Sequence, residues 1–276
     1  MNEKKVTIGK ISYINDAPVY FGLDHGLLPS WLKMVSDVPA VLNQKIKNGQ
    51  IKISPVSAAF YAMNHGELLL LPDLSISCNG RVMSVILASN YAIDDLDGKK
   101  VMFSQESASA AAFLKMIFCK KKVFPIFEVG PVNNYQQISN FVDAALVIGD
   151  TALIHPWDQT FEYCIDLGQP WYEMTQLPFV FAVWVVRRAF AEKYPSRVRD
   201  IHKLLLTSKE QGYQNIDKVI EAGKNKLGLE RSMVKEYFDL LYCDLDDKKI
   251  KAMALFFNSL FDQGILNEKV DIEFFI

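Results

Sequence analysis

The residues best suited to chemistry sit together in one turn, Ser12-Tyr13-Ile14-Asn15-Asp16. Before it, Val6 to Ile11 alternates apolar and polar and reads as a strand; after it, Pro18 suits a first helical turn. A strand that ends in polar residues and hands over to a helix holds small anions well. The helix N-terminus offers unpaired N–H groups and a partial positive charge. On local pattern alone Asn15-Asp16 is a turn with an N-cap; three further handovers raise the ligand-binding reading. They are Ser54 to Ser57, Ser104-Gln105-Glu106-Ser107 running into Ala108-Ser109, and Gly149-Asp150. Ser12, Ser57, Ser107, Ala108, Ser109, Gly149 and Asp150 are the candidate substrate-binding residues. Ser57, Ser107 and Asp150 also read as simple helix caps, and for Asp150 the cap is the favoured reading over a base.

These turns need a scaffold. Strand-like runs at residues 6–11, 32–36, 51–53, 68–71 and 82–87 alternate with helical stretches at 39–48, closed by Gly49, and at 57–64, capped by Ser57. A second alternation runs through strands at 101–103, 123–129, 144–148 and 164–167. The continuous apolar run Phe179-Val180-Phe181-Ala182-Val183-Trp184-Val185-Val186 suits a strand covered on both faces. From Arg188 onward the pattern is helical, with Gly223 ending a helix over 196–222. The expected fold class is α/β, two lobes around a cleft, one nested in the other: residues 1–88 with 179–276, and 89–178 inserted. The chain then crosses between lobes near Ser89-Asn90 and Pro178-Phe179, and ligands bind beyond the carboxyl ends of the strands.

Composition sets the outer limits. A chain of 276 residues, 50% hydrophobic and with net charge −2, has ample material for two cores and no excess of positive charge for nucleic acid. Lys120-Lys121-Lys122 reads as a solvated helix end. No window is apolar for long enough to span a bilayer, and with Glu3 among the opening residues and no uninterrupted apolar run there, no secretory signal is expected. The four cysteines, at 78, 119, 164 and 243, are far apart, so free thiols and a cytoplasmic address are expected. No metal-ligand cluster, phosphate loop or dinucleotide fingerprint is present, and no cofactor is expected.

Several ordered motifs resemble one family. They are Gly9-Lys10-Ile11-Ser12-Tyr13-Ile14-Asn15 with Pro18, Ile53-Ser54-Pro55-Val56-Ser57 with Tyr61, and Leu71-Pro72-Asp73-Leu74-Ser75-Ile76-Ser77. Ser84-Val85-Ile86-Leu87-Ala88-Ser89, Leu146-Val147-Ile148-Gly149-Asp150-Thr151-Ala152-Leu153, and Asp166-Leu167-Gly168 with Trp171 continue the series. Thr175-Gln176-Leu177-Pro178 and the apolar run through Trp184 close it. The chain is similar to the menaquinone-biosynthesis family of the futalosine route, and within it to chorismate dehydratases rather than to the sister dihydroxynaphthoate synthases. The resemblance implies a type II periplasmic-binding-protein-like fold. One departure is visible: the family's Ser-Ala-Thr-Ser is here Ser107-Ala108-Ser109-Ala110, which puts any side-chain contact at Ala110 in doubt.

The implied reaction removes water from chorismate to give 3-enolpyruvylbenzoate. Removing the ring proton beside the ether builds charge on the ring carboxylate, the neighbouring hydroxyl leaves, and the ring becomes aromatic. Such a site needs carboxylate clamps, a base and help for the departing hydroxide. The resemblance implies that a substrate carboxylate is the base and that Asn15 and Ser84 orient the reacting groups. His25, His65, His155 and His202 all lie outside the motifs and read as surface or structural, His155 being the nearest to one. The alternatives are a small-carboxylate binder without turnover on the same fold, and the sister synthase, against which the Ser12 to Pro18 motif argues.

Overall fold

The computed structural model describes residues 5–104, 108–132 and 135–276. Two mixed sheets form the frame. The chain opens with β1 (Val6–Ile11), α1 (Ala17–Gly22), β2 (Leu32–Asp37), α2 (Pro39–Lys47), β3 (Ile53–Ser57), α3 (Ala58–Met63) and β4 (Leu68–Cys78). The second lobe follows with β5 (Val85–Ser89), β6 (Lys100–Phe103), α4 (Ala108–Lys121), β7 (Ile126–Val129), α5 (Tyr135–Ile138), β8 (Ala144–Ile148), α6 (Asp150–Ile154), β9 (Tyr163–Asp166) and α7 (Gly168–Thr175). The chain returns through β10 (Phe179–Arg187), α8 (Arg188–Lys193), α9 (Pro195–Gln214), α10 (Ile216–Leu227), α11 (Arg231–Leu240), β11 (Leu241–Tyr242) and α12 (Asp247–Asp262).

The first sheet has the order β11-β4-β10-β3-β1-β2 and the second β7-β6-β8-β5-β9. β1 runs parallel to β2 and β3, so their carboxyl ends, with the Ser12 and Ser57 turns, open on one side. β10 enters antiparallel between β3 and β4, its Val183-Trp184-Val185-Val186 stretch fully buried, as a strand covered on both faces must be. In the second sheet β6 and β8 are parallel while β5 is antiparallel to β8 and β9.

Three features differ from the expectation. The strand after Ser84 pairs in the second sheet, so the first crossing lies in residues 79–84, earlier than Ser89-Asn90. An apolar run announces a strand but not its partner, which is a long-range choice. β4 continues through Pro72 to Cys78, with Asp73 at φ +57 and its carbonyl and carboxylate both taking Lys209 Nζ. The strand expected over 68–71 thus runs on past Pro72, and a register shift against β10 absorbs the extra residues as a bulge. Gly223 does not end a helix; it lies inside α10, where a Cβ would stand 3.0 Å from Val234 of α11. The helix instead stops at Gly228, φ +69, and the preceding break falls at Asn215.

At the return crossing Phe113 of α4, Trp171 of α7, Phe179 of β10 and Phe256 of α12 pack as one aromatic cluster, with centroids 4.9 to 6.4 Å apart. It belongs to a core cluster that spans both lobes, while a smaller cluster around Trp157 and Phe161 packs separately in the second lobe. Among the described residues, no helix is long and apolar enough to cross a membrane.

Candidate active site

Between the lobes lies a narrow cleft lined from both sides. Ile11, Tyr13, Asn15, Val56, Ser57 and Phe181 line it from the first lobe; Ser84, Ala108, Ser109, Ala110, Ile148 and Gly149 line it from the second. Six of the candidate residues thus share one cavity: Asn15, Ser57, Ser84, Ala108, Ser109 and Gly149. Ser12 and Asp150 are not among its lining side chains, and Ser107 lies outside the described residues.

The Ser12-to-Asp16 turn is pinned along its backbone. Ile11 N–H donates to Asp16 Oδ2 at 2.7 Å, Ser12 N–H to the Asp37 carbonyl at 2.9 Å, and Ile14 N–H to Asp150 Oδ1 at 2.9 Å. Lys226 of α10 donates to the Ser12 carbonyl and, at 2.8 Å, to Asp150 Oδ2. Asp150 is therefore not the cap of α6. Gly149, φ +66, holds the N-cap position of α6, and both carboxylate oxygens of Asp150 reach across to the first lobe. A Cβ at position 149 would meet the Tyr13 ring at 2.5 Å, so the close approach as well as the φ calls for glycine.

Asn15 lines the cleft with its Oδ1 buried and lacking a partner, an acceptor left for a ligand. Its neighbour Asp16 is fully buried; burial pushes its carboxyl up to about 8, against the opposing pull of the Lys10 charge and the Ile11 N–H. Asp16 Oδ1 has no partner, so the neutral acid is the form this pocket accommodates.

Ser84 owes its position to two carbonyl–amide bonds and one carboxylate. Its carbonyl accepts from Gly149 N–H at 2.8 Å, a continuation of the β5–β8 ladder past the Val85–Ile148 pair. Met83 before it has φ +64, a conformation fixed by Asp166, whose carboxylate accepts from Val82, Met83 and Gly168 N–H. Burial raises the Asp166 carboxyl, and these three donors draw it back down.

Ser57 caps α3 as expected, accepting from Phe60 N–H at 3.1 Å, which leaves its own proton to donate. The Ser109 hydroxyl is used within the protein: it accepts from Ala59 N–H at 3.0 Å and donates to the Phe181 carbonyl at 2.9 Å. Phe181 is the bulged residue of β10 against β4, and the bulge turns that carbonyl toward the second lobe. Ser109 thus ties α4 to α3 and β10, and Ala110 gives the cleft an apolar wall.

Among the described lining residues none carries a charge. His155 faces a separate groove with Arg81, Met83 and Trp157, and burial lowers its imidazole. His25, His65 and His202 bond the carbonyls of Phe21, Ala62 and Pro72. No group of acidic, histidine and cysteine side chains among the described residues forms a metal cage. Three residues outside the candidate list touch the frame of this site: Asp166 and Lys226, described above, and Tyr237 of α11, whose hydroxyl lies 3.1 Å from Ser84 Oγ. Tyr237 sits on the apolar face of an amphipathic helix, and Lys226 reads as one more cation in a last helical turn.

The sequence profile of the menaquinone-biosynthesis family matches residues 6–262. The chain is 29% identical over 245 residues to a chorismate dehydratase of Thermus thermophilus, covering 83% of this chain and 86% of the relative. It is 30% identical over 178 residues to one from Campylobacter jejuni, covering 63% and 64%. A crystal structure of an Archaeoglobus fulgidus protein superposes with a TM-score of 0.79 at 21% identity, over 96% of this chain and all of that one. The alkanesulfonate-binding protein SsuA of Xanthomonas axonopodis superposes at 0.73 with 15% identity, over 98% and 96%. At these identities the two structures speak for a shared periplasmic-binding-protein-like fold alone.

Proposed function

The chain belongs to the menaquinone-biosynthesis family, and from that premise we propose that it is a chorismate dehydratase, a hydro-lyase that converts chorismate to 3-enolpyruvylbenzoate and water. The observation that carries this reading is the cleft's chemistry: hydroxyls, one amide and backbone groups, with no charged side chain among the described lining residues. A site without a base of its own suits a substrate that brings one. In this reading a carboxylate of chorismate takes the ring proton beside the ether. The electron pair completes the aromatic ring as the neighbouring C–O bond breaks, and the hydroxide leaves as water with that proton.

Asn15 and Ser84 are assigned to the reacting groups. Asn15 offers a buried acceptor and an amide donor, but no practical proton affinity, so it orients rather than deprotonates. Ser84 supplies a hydroxyl where charge grows on a carboxylate or leaving oxygen. Ser57 and the α4 N-terminus at Ala108 supply further donors for a carboxylate. An apolar wall at Ala110, Val56 and Phe181 strengthens these bonds by excluding water.

A second reading, a binder without turnover, draws on the fold shared with a sulfonate-binding protein. Incubating the purified chain with chorismate and identifying the aromatic product by mass spectrometry separates the two. Product formation supports the dehydratase; a thermal shift with chorismate intact supports the binder and refutes the lyase.

A further inference from the structure

We propose that Tyr237 is a positioning residue of this reaction, donating to Ser84 Oγ and so committing the serine's own proton to the substrate. The inference rests on the dehydratase reading above. Tyr237 belongs to α11, 153 positions from Ser84 and outside every motif of the cleft, yet its phenol oxygen lies 3.1 Å from Ser84 Oγ. The ring is buried against Phe238, with 5.6 Å between centroids, and Tyr237 is not itself part of the cleft wall. It can act on the ligand only through Ser84.

The surrounding bonds leave the Ser84 hydroxyl as the one adjustable part. The backbone is held on both sides, by Gly149 N–H on the carbonyl and by the Ser84 N–H to the Val82 carbonyl, each at 2.8 Å. Asp166 fixes the two residues before it. What remains is the rotation of the side chain and its proton. With Oγ accepting from the phenol, the serine O–H must donate elsewhere, and among the described residues no protein group accepts it. Its side chain lines the cleft, so the acceptor is a ligand oxygen. A hydroxyl that accepts from a phenol is polarised and donates more strongly. Burial pushes the Tyr237 phenol well above its ordinary value, so it stays a donor throughout the working pH range. The C-terminal helices thereby reach the reacting centre, although the strand-to-helix turns supply its walls.

Steady-state chorismate turnover by the full chain and three variants tests this: Tyr237→Phe, Ser84→Ala and the double variant. Tyr237→Phe keeps the ring and removes only the donor. Its kcat is expected to fall about tenfold or more with KM nearly unchanged, because the bond matters most as charge develops. The double variant is expected to match Ser84→Ala, since the phenol has no other route to the substrate. A purely structural tyrosine would lower the thermal midpoint and would reduce kcat by the same factor in both backgrounds. Wild-type kcat in Tyr237→Phe, or full multiplicative loss in the double variant, overturns the inference and leaves the dehydratase reading intact. No turnover by the wild type overturns both.

Discussion

Asp16 makes the folded state's pH dependence a test of how the Asn15 turn is built. Its carboxyl is fully buried, one oxygen takes the Ile11 N–H, and the other has no partner. Burial raises its pKa from 3.8 to about 8, so at neutral pH the native chain holds a proton that the unfolded chain has lost. The native state then binds more protons than the unfolded state between about pH 4 and pH 8. Stability is greatest below that window and falls as pH rises through it. At about 1.4 kcal/mol per pH unit, the roughly three units between an ordinary carboxylate and neutrality set a ceiling of about 4 kcal/mol. Asp16→Asn removes the titration while its amide oxygen still accepts from Ile11. Urea unfolding followed by tryptophan fluorescence at pH 5, 6, 7 and 8 should show the wild type losing stability relative to the variant, by about 1 kcal/mol per unit. The variant should be the more stable protein at pH 8. Asp166, raised by burial, and His155 and His202, lowered by it, titrate in both proteins and cancel in the difference. Parallel pH curves would mean that Asp16 is ionised in the fold, and the account of a neutral acid behind Asn15 would fail.

Asn15→Ala and Ser84→Ala should each fold, bind chorismate and turn it over about 100-fold or more slowly, whereas His155→Ala should lose little; the reverse pattern in steady-state kinetics would restore a histidine base. Gly149→Ala forces a Cβ to 2.5 Å from the Tyr13 ring at a φ of +66, and should cost about 1–3 kcal/mol in denaturant unfolding together with chorismate affinity. Lys226→Met breaks a pair whose lysine is 45% exposed, so stability should change by no more than about 1 kcal/mol. Hydrogen exchange at the Ile14 amide, held by Asp150, should nevertheless quicken in that variant; unchanged exchange would show that the pair does not hold the turn. Ser57→Ala removes the α3 cap and should cost about 1 kcal/mol, read from the shift in urea midpoint.

Local chemistry was legible along the chain. Pro39 and Gly49 bracket a helix, Ser57 caps the next, and the apolar run from Phe179 forms a buried strand, because caps, turns and burial leave marks within a few residues. The two-lobed α/β architecture followed from alternating strands and helices together with the family resemblance, and the cleft collects Asn15, Ser57, Ser84, Ala108, Ser109 and Gly149. What the sequence could not express is which long-range partner each group takes. Asp150, adjacent to a helix start, looked like its cap, yet its carboxylate goes to Ile14 and Lys226, at separations of 136 and 76 residues. Ser109, a hydroxyl at a helix start, is satisfied by Ala59 and Phe181 rather than left for a ligand. Gly223 permits helices α10 and α11 to touch, where its type alone suggested an end. Tyr237 carries no local mark of its bond to Ser84, since a tyrosine on an apolar helix face has the same pattern whether its hydroxyl meets water or a serine. Periodicity and capping are decided by neighbours in the chain. The pairing of buried polar groups is decided by whichever partner the packed lobes bring within about 3 Å, and that distance exists only in the folded protein.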